Sequence, residues 1–345
     1  MLSQATRVLL DGLNAGKRAA LARAITLVES RNLDKFKQGQ GLLSALLQQR
    51  RDGEATMFPK ETIRLGISGP PGVGKSTFIE AFGTHLLKQG KRLAVLTIDP
   101  TSSLTGGSIL GDKTRMPQLS ADSRAFVRPS PSGGALGGVA RSTSDAIVLC
   151  ESVGYDVVLV ETVGVGQNEV AVAGMVDLFM LLLPPAGGDE LQGIKRGIME
   201  LSDLLVINKA DGGLETVARQ AQIEYTSALK LLRRRHQRWD PEVFAVSSLK
   251  GRGLDDVWAG VNRFYDHVGR DAVEHQRGLQ YKEWMWRYVE DQLARHFKQH
   301  PPTRQKIADL EHRLMEQRIT PGGAAEELLQ SYFASSNFEN PLNKL

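Results

Sequence analysis

The sequence predicts an α/β fold: a mostly parallel sheet flanked by helices, with helical extensions at the N- and C-terminal ends. Three observations carry this expectation. Short apolar runs at residues 63–67, 93–98, 157–160, 178–183, 204–207 and 243–246 alternate with amphipathic helical stretches, the pattern of a sheet covered on both faces. A glycine-rich segment, Gly69-Pro70-Pro71-Gly72-Val73-Gly74-Lys75-Ser76, follows the first run and opens a stretch with Phe78, Ile79, Phe82 and Leu86 at helical spacing. Outside residues 58–268 only helical periodicity remains, which divides the chain into an N-terminal extension (1–57), a nucleotide-binding domain (58–268) and a C-terminal helical arm (269–345).

In the first extension Leu21, Ala24, Ile25 and Val28 form one helical stripe, and Leu42, Leu43, Leu46 and Leu47 another. Residues 32–41 read as their connection, and Arg51-Asp52-Gly53-Glu54 breaks the pattern before Pro59. Helical patterning starts almost at the first residue, which leaves little room for a detachable leader.

The glycine-rich segment fits G-x-x-x-x-G-K-[ST], and strand, loop, helix is the context a phosphate loop needs. Backbone N–H groups of such a loop turn inward around a phosphate, and the helix N-terminus adds partial positive charge. The expected nucleotide contacts are Gly69, Pro71, Gly72, Val73, Gly74, Lys75, Ser76 and Thr77, with Lys75 on the β- and γ-phosphates and Ser76 on Mg²⁺. The chain is expected to bind a nucleoside triphosphate.

Asn208-Lys209-Ala210-Asp211 follows the run at 204–207 and specifies which one. A carboxylate at Asp211 accepts hydrogen bonds from N1–H and the 2-amino group of guanine. Adenine offers neither donor, and a site built on such bonds can reject the wrong base by about 10⁴. Lys209 lies along the base plane, Asn208 ties neighbouring loops, and Ser247, Ser248 and Leu249, after the last run, supply a further guanine-contacting loop. GTP and GDP are the expected ligands.

The metal and switch candidates lie between these segments. Glu161-Thr162-Val163-Gly164 ends the run at 157–160, Asp99 ends the one before it, and Asp112 lies in Gly111-Asp112-Lys113. Mg²⁺ takes hard oxygen ligands and keeps several waters, so Ser76, Asp99, Asp112 and Glu161 are the candidate ligands; each Asp also reads as a cap or turn residue. Many GTPases place a water-orienting glutamine directly after the switch glycine; here Val165 occupies that position and Gln167 is displaced. The second loop position is Pro70, not the lysine of deviant phosphate loops. Intrinsic hydrolysis is therefore expected to be slow and to need a cation from a mobile loop or a partner. Lys195, in Gly193-Ile194-Lys195-Arg196-Gly197, is the internal source, although that loop also reads as merely basic and solvated. Lys75, Glu161 and Lys195 are the catalytic candidates.

Composition sets the remaining bounds. Over 345 residues, 41% hydrophobic and 24% charged content is ordinary for a globular protein, and a net charge of +4 gives no reason to expect a nucleic-acid partner. The basic run Arg233-Arg234-Arg235-His236-Gln237-Arg238 reads as a solvated helix face. The single cysteine, Cys150, excludes an internal disulfide and reads as a small buried hydrophobe. His296 and His300 are spaced like metal ligands, but Phe297 stands where a zinc hydrolase carries glutamate, and Pro301-Pro302 ends the helix at once. The apolar runs are of strand length, too short to span a bilayer, so no membrane partner is expected. In the C-terminal arm Trp286, Val289, Leu293 and Phe297 form one stripe and Ile307, Leu310 and Leu314 another, and Thr320-Pro321 reads as an N-cap with proline at N1. The glycine-rich stretch 129–138 reads as a mobile loop.

The strings GPPGVGKST, DPTSSLTGGSILGDKTRM, ETVGVGQNE, PPAGGDELQGIKRGI and NKAD together closely resemble the MeaB/ArgK (MMAA-like) family of SIMIBI-class P-loop GTPases. The resemblance covers nearly the whole chain. It implies a GTPase chaperone that gates adenosylcobalamin loading and protects or reactivates methylmalonyl-CoA mutase or a related cobalamin-dependent acyl-CoA mutase. It further implies that Asp99, Asp112 and Glu161 form the metal and switch group, that Lys195 lies in an additional switch loop, and that the helical arms form a homodimer. A cytoplasmic location is implied, or the mitochondrial matrix for a processed eukaryotic chain. Two other functions compete. A metallochaperone GTPase for metal-centre assembly calls for a His-rich tract or paired cysteines, which the sequence lacks. An ATP-dependent kinase linked to basic amino acid transport, an older label of the family, conflicts with the N-K-x-D guanine reader.

Overall fold

One sheet of seven parallel strands organises the computed structural model, which describes residues 3–30, 32–52, 62–99, 116–131, 136–162, 168–185 and 196–335. The strands β1 (Ile63–Ser68), β2 (Leu93–Asp99), β3 (Ala125–Pro131), β4 (Val157–Thr162), β5 (Leu178–Leu183), β6 (Leu204–Ile207) and β7 (Glu242–Ala245) stand in the order β3-β2-β4-β1-β5-β6-β7. Three helices precede the sheet: α1 (Gln4–Asn14), α2 (Arg18–Val28) and α3 (Leu33–Arg51). Interleaved with the strands are α4 (Lys75–Lys88), α5 (Pro117–Ala121), α6 (Leu136–Ser152), α7 (Asn168–Ala173), α8 (Arg196–Glu200), α9 (Glu215–Leu229) and α10 (Leu254–Val268). The chain continues into α11 (Arg270–Gln299), α12 (Pro301–Met315) and α13 (Pro321–Ser335). It divides into two compact units, Met1–Tyr281 and Lys282–Leu345.

Every residue of β4, β5 and β6 is buried, as strands covered on both faces must be. On one face Phe78 and Phe82 of α4 and Trp258 and Phe264 of α10 meet Leu65, Ile67, Leu159 and Met180. Ala218, Ala221 and Tyr225 of α9 pack with Leu181, Leu183, Leu205 and Ile207 in a second cluster. The N-terminal helices are fastened to this body by polar bonds: Arg128 of β3 pairs with Glu29 at 2.5 Å, and Gln40 donates to Asp145 at 2.9 Å.

At the N-terminal edge of the sheet lies a buried ionic network. Arg64 of β1 donates through Nε and Nη2 to Glu151 at 2.6 and 2.9 Å. Arg277 of α11 holds Asp177 in the same forked manner at 2.8 and 2.5 Å, and Tyr265 donates to Asp177 at 2.7 Å. Burial alone pushes the Asp177 carboxyl up, but the Arg277 and Arg64 charges and the Tyr265 hydroxyl outweigh it and hold it below the usual carboxylate value.

Three local expectations are corrected. The stretch 32–41 is not a connection: Asn32 caps α3, accepting from the N–H groups of Asp34 and Lys35 at 3.0 and 3.1 Å, and Gly39 and Gly41 lie inside the helix. Residues 129–131 end strand β3 and residues 136–138 begin α6, so the glycine-rich stretch is not a single loop. Proline is tolerated in β3 because that strand is at the sheet edge. The basic run lies beyond the end of α9, and Arg235 is no solvated side chain. It pairs with buried Asp203 at 2.5 Å and donates to the carbonyls of Ala173 and Val176 at 2.6 and 3.1 Å. The N-cap at Thr320 is present, its hydroxyl accepting from Gly323 N–H at 3.1 Å. Among the described residues no helix is long and apolar enough to cross a membrane.

Candidate functional site

Parallel strands deliver their following loops to one edge of the sheet, and ligands bind at that carboxyl edge. The loop after β1 is the glycine-rich segment. Gly69 has φ of 154° and runs so close to β5 that a Cβ would lie 2.4 Å from the Leu182 carbonyl oxygen. Gly74 is left-handed at φ 93°, and a Cβ there would come 2.8 Å from the Asn208 amide nitrogen. Pro70 and Pro71 have no N–H, so the donors that follow them begin at Gly72. Val73 is buried in the core beneath the loop. Lys75, Ser76 and Thr77 form the first turn of α4, where the unpaired N–H groups of the helix face an incoming anion.

The Lys75 ammonium donates to the carbonyls of Gly69 and Pro70 at 2.8 and 3.2 Å, folding the loop around itself. Burial lowers its proton affinity, while the carboxylates of Glu161 and Glu169 act in the opposite direction. Glu161 is buried on β4, and beside it Thr162 donates to Ser68 at 2.8 Å, joining the ends of β4 and β1.

The loops after β6 and β7 close the other side. Asn208 is buried; its amide donates to the carbonyls of Val73 and Gly74 at 3.0 and 3.4 Å. Its oxygen accepts from the Ser248 hydroxyl at 2.6 Å and, less directly, from the Ser248 N–H at 3.4 Å. One side chain therefore joins three loops. Lys209 adopts a left-handed φ of 60° and its ammonium donates to the Gly72 carbonyl at 2.7 Å. Ser247 donates its hydroxyl to the Asp211 carboxylate, and accepts from Lys250 N–H at 3.1 Å. Leu249 is exposed at the rim of this loop. Arg252, not singled out by the sequence pattern, donates to the Ala210 carbonyl at 3.1 Å and pairs with Glu215 at 2.5 Å.

Gly69 to Thr77, Glu161, Asn208, Lys209, Asp211 and Ser247 to Leu249 thus all lie at or just beyond the same strand ends. Asp99 ends β2, one residue beyond the Ile98–Thr162 pairing with β4, which places its backbone at that edge; its side chain lies outside the described residues. Asp112, Val165, Gln167 and Lys195 lie outside them as well. Among the described residues no group of three or more His, Cys, Asp or Glu side chains is placed to hold a metal. Sequence spacing also passes over Glu169, a fully buried acid in the first turn of α7.

A phosphate loop between a central parallel strand and a helix, joined by Asn208 to the loop that carries the N-K-x-D sequence, defines a P-loop nucleoside triphosphatase of the GTP-binding class. The comparisons with known proteins narrow this. The family model described as "Methylmalonyl Co-A mutase-associated GTPase MeaB" matches residues 21–302, and the chain belongs to that family. It is 52% identical over 326 residues to the "Methylmalonic aciduria type A homolog, mitochondrial" of Mus musculus, covering 94% of this chain and 79% of the mouse protein. A "Putative GTPase" of Caulobacter vibrioides is 50% identical over 321 residues, 93% of this chain and 95% of that protein. Among solved structures, one described as a LAO/AO transport system kinase superposes with a TM-score of 0.71 at 34% identity, covering 97% of this chain and all of that one.

Proposed function

We propose that this GTPase gates the loading of adenosylcobalamin into methylmalonyl-CoA mutase, or a related cobalamin-dependent acyl-CoA mutase, and protects or reactivates that enzyme. The observation that carries the nucleotide half is the Asn208 junction, which fixes the Asp211 loop to the phosphate loop. The mutase half is supported by the description of the family and by the names of its mitochondrial members.

In this reading Gly69, Pro71, Gly72, Val73, Gly74, Lys75, Ser76 and Thr77 cradle the phosphates. Asn208, Lys209, Asp211, Ser247, Ser248 and Leu249 hold the guanine. The hydroxyl of Ser76 in the first turn of α4 and the buried carboxylate of Glu161 are hard oxygen donors of the kind Mg²⁺ takes. With Asp99 and Asp112 they are the residues that would hold the ion. When bound, it supplies positive charge to the β- and γ-phosphate oxygens. Hydrolysis is slow because Val165 stands where a water-orienting glutamine is usual, and Lys195, or a partner residue, supplies the accelerating cation. Residues 58–268 form the nucleotide-binding body, 1–57 a helical extension, and 269–345 a dimerisation arm. The exposure of Met285, Trp286 and Leu293 along α11 supports a covered apolar face there. The protein works in the cytoplasm, or in the mitochondrial matrix of a eukaryote.

Calorimetry with GDP, GTPγS and ADP, combined with GTP turnover alone and with purified methylmalonyl-CoA mutase, tests this. GDP should bind about 10³-fold or more tightly than ADP, and Asp211→Ala should erase the preference. The mutase should accelerate a slow basal turnover. Equal binding of ADP refutes the GTP reading and favours the transport-kinase label of the solved relative; a mutase with no effect on turnover refutes the chaperone reading.

A further inference from the structure

A cleft of about 700 Å³ lies at the N-terminal edge of the sheet, between the start of β1, Lys91 ahead of β2, and the corner where α10 passes into α11. All of its lining belongs to the first compact unit. The length of β1 separates it from the glycine-rich loop, so it is no part of the nucleotide site.

The lining is basic. Arg50, Arg64, Lys91, Arg270 and Arg277 stand against two acids, Asp266 and Glu274. Glu151 and Asp177, bonded to Arg64 and Arg277, bring the acids to four against those five cations. Arg277 is committed to Asp177 and to the Thr62 carbonyl at 2.6 Å, and Arg270 stands 3.5 Å from Glu274.

Arg64 makes this more than a basic surface. Its side chain is fully buried, with Nε and Nη2 bonded to Glu151 and Nη2 also to the Tyr281 hydroxyl at 3.2 Å. Nη1, the corner of the guanidinium turned away from Glu151, is buried and meets no acceptor among the described residues. Buried donors are almost always paired, and the partner a guanidinium takes best is a carboxylate or phosphate oxygen. Beside it Ile63, Trp258 and Val273 form an apolar wall. An apolar wall with a few polar groups to fix orientation is the make-up of a small-molecule pocket.

We propose that this cleft binds a small organic anion. Its phosphate or carboxylate group accepts from Arg64 Nη1 and is attracted by Arg50 and Lys91, while its body lies against Ile63, Trp258 and Val273. The assignment goes beyond the GTPase reading and does not depend on it.

Calorimetry on the full chain tests this, with GDP and Mg²⁺ in excess to fill the phosphate loop. Phenyl phosphate and benzoate are the probes, and phenol is the uncharged control. At least one anion should bind with a Kd of about 1 mM or tighter, and phenol at least about tenfold more weakly. The better of the two anions separates phosphate from carboxylate chemistry. Arg64→Met should abolish binding, but it strands Glu151 and can fail to fold. The double variant Arg50→Ala with Lys91→Ala leaves the Arg64–Glu151 pair intact and should weaken the anion by about tenfold. A crystal soaked with the tighter probe should show its charged group on Arg64 Nη1. No binding by either anion, equal binding of phenol, an affinity unchanged in the double variant, or an ordered water alone on Nη1 in the soaked crystal each overturns the proposal. GDP binding is measured before the probes are added, so a failure of the nucleotide reading shows separately.

Discussion

Replacing Asn208 with alanine should cost the site most of its affinity by loosening the loops that surround the nucleotide. The side chain makes two well-formed hydrogen bonds, to the Val73 carbonyl at 3.0 Å and from the Ser248 hydroxyl at 2.6 Å. Two longer ones, at 3.4 Å each, add little. Each good bond contributes about 1 kcal/mol net, and leaving a buried partner unsatisfied costs about 1–3 kcal/mol. Water admitted to the truncated site satisfies part of what is lost. The expected total is about 2–4 kcal/mol, divided between chain stability and the ordering of the loops that nucleotide binding requires. If half falls on binding, GDP and GTPγS should both weaken by about 5- to 30-fold, one factor of ten per ~1.4 kcal/mol. Calorimetry with both nucleotides, beside a thermal melt, reads the two shares. An Asn208→Ala protein that binds GDP as the wild type does, with an unchanged melting temperature, would refute the claim that this side chain holds the three loops together.

Two further expectations concern the chain away from the nucleotide. Arg277→Met removes the charge that holds Asp177 and should destabilise the fold by about 3–5 kcal/mol, because a buried carboxylate loses its partner. In the wild type the Asp177 carboxyl is held below its unfolded value, so its contribution is complete above about pH 4, the ordinary Asp value, and is lost as pH falls through the lower folded one. In Arg277→Met burial is left without that countercharge, so protonating Asp177 relieves an unpaired buried charge instead of breaking a favourable pair; the stability gap between the two proteins should therefore narrow as the pH falls below about 4, the ordinary Asp value, and a gap that stays constant would refute this. Burial pushes the Cys150 thiol far up, so a thiol reagent should label it only in denaturant, and rapid labelling of the native protein would show α6 to open readily.

Most of the sheet was legible because β4, β5 and β6 are unbroken apolar runs, and a strand buried on both faces leaves little else to choose. The positions of the glycine-rich loop after β1 and of the Asn208-to-Asp211 loop after β6 were legible because such motifs fix residue types at short spacing. The failures have physical causes as well. Strand β3 contains Arg128, Pro129 and Pro131 and reads as a loop until its position at the sheet edge is known. Asn32 was hidden as a cap by the glycines that follow it; Gly39 stands inside the helix because Val28 leaves no room for a Cβ, which would lie 2.9 Å from it. Arg235 looked solvated because its partner, Asp203, is 32 residues distant in sequence. Glu169 was invisible for a similar reason: burial of an acid is a tertiary fact, and no local spacing announces it.

The strand order implies a division of labour around Lys75. Strand β1 lies between β4 and β5, with β6 beyond β5. Glu161 therefore stands on the β4 side of the phosphate loop, whereas Asn208, Lys209 and Asp211 come from the β6 side. Asn208 and Lys209 brace the loop carbonyls of Gly72, Val73 and Gly74, so in the proposed site the β6 side acts on what GDP and GTP share. In the proposed site Glu161, buried on β4, stands with the metal group, where the two nucleotides differ. Substitutions on the β6 side should then weaken both nucleotides in proportion, while those on the β4 side should change their ratio. Asn208→Ala and Glu161→Gln are the matched pair. If Asn208→Ala shifted the GTPγS-to-GDP ratio as much as Glu161→Gln does, the proposed separation of base recognition from the metal and switch group by strand order would fail, even with both residues important for binding.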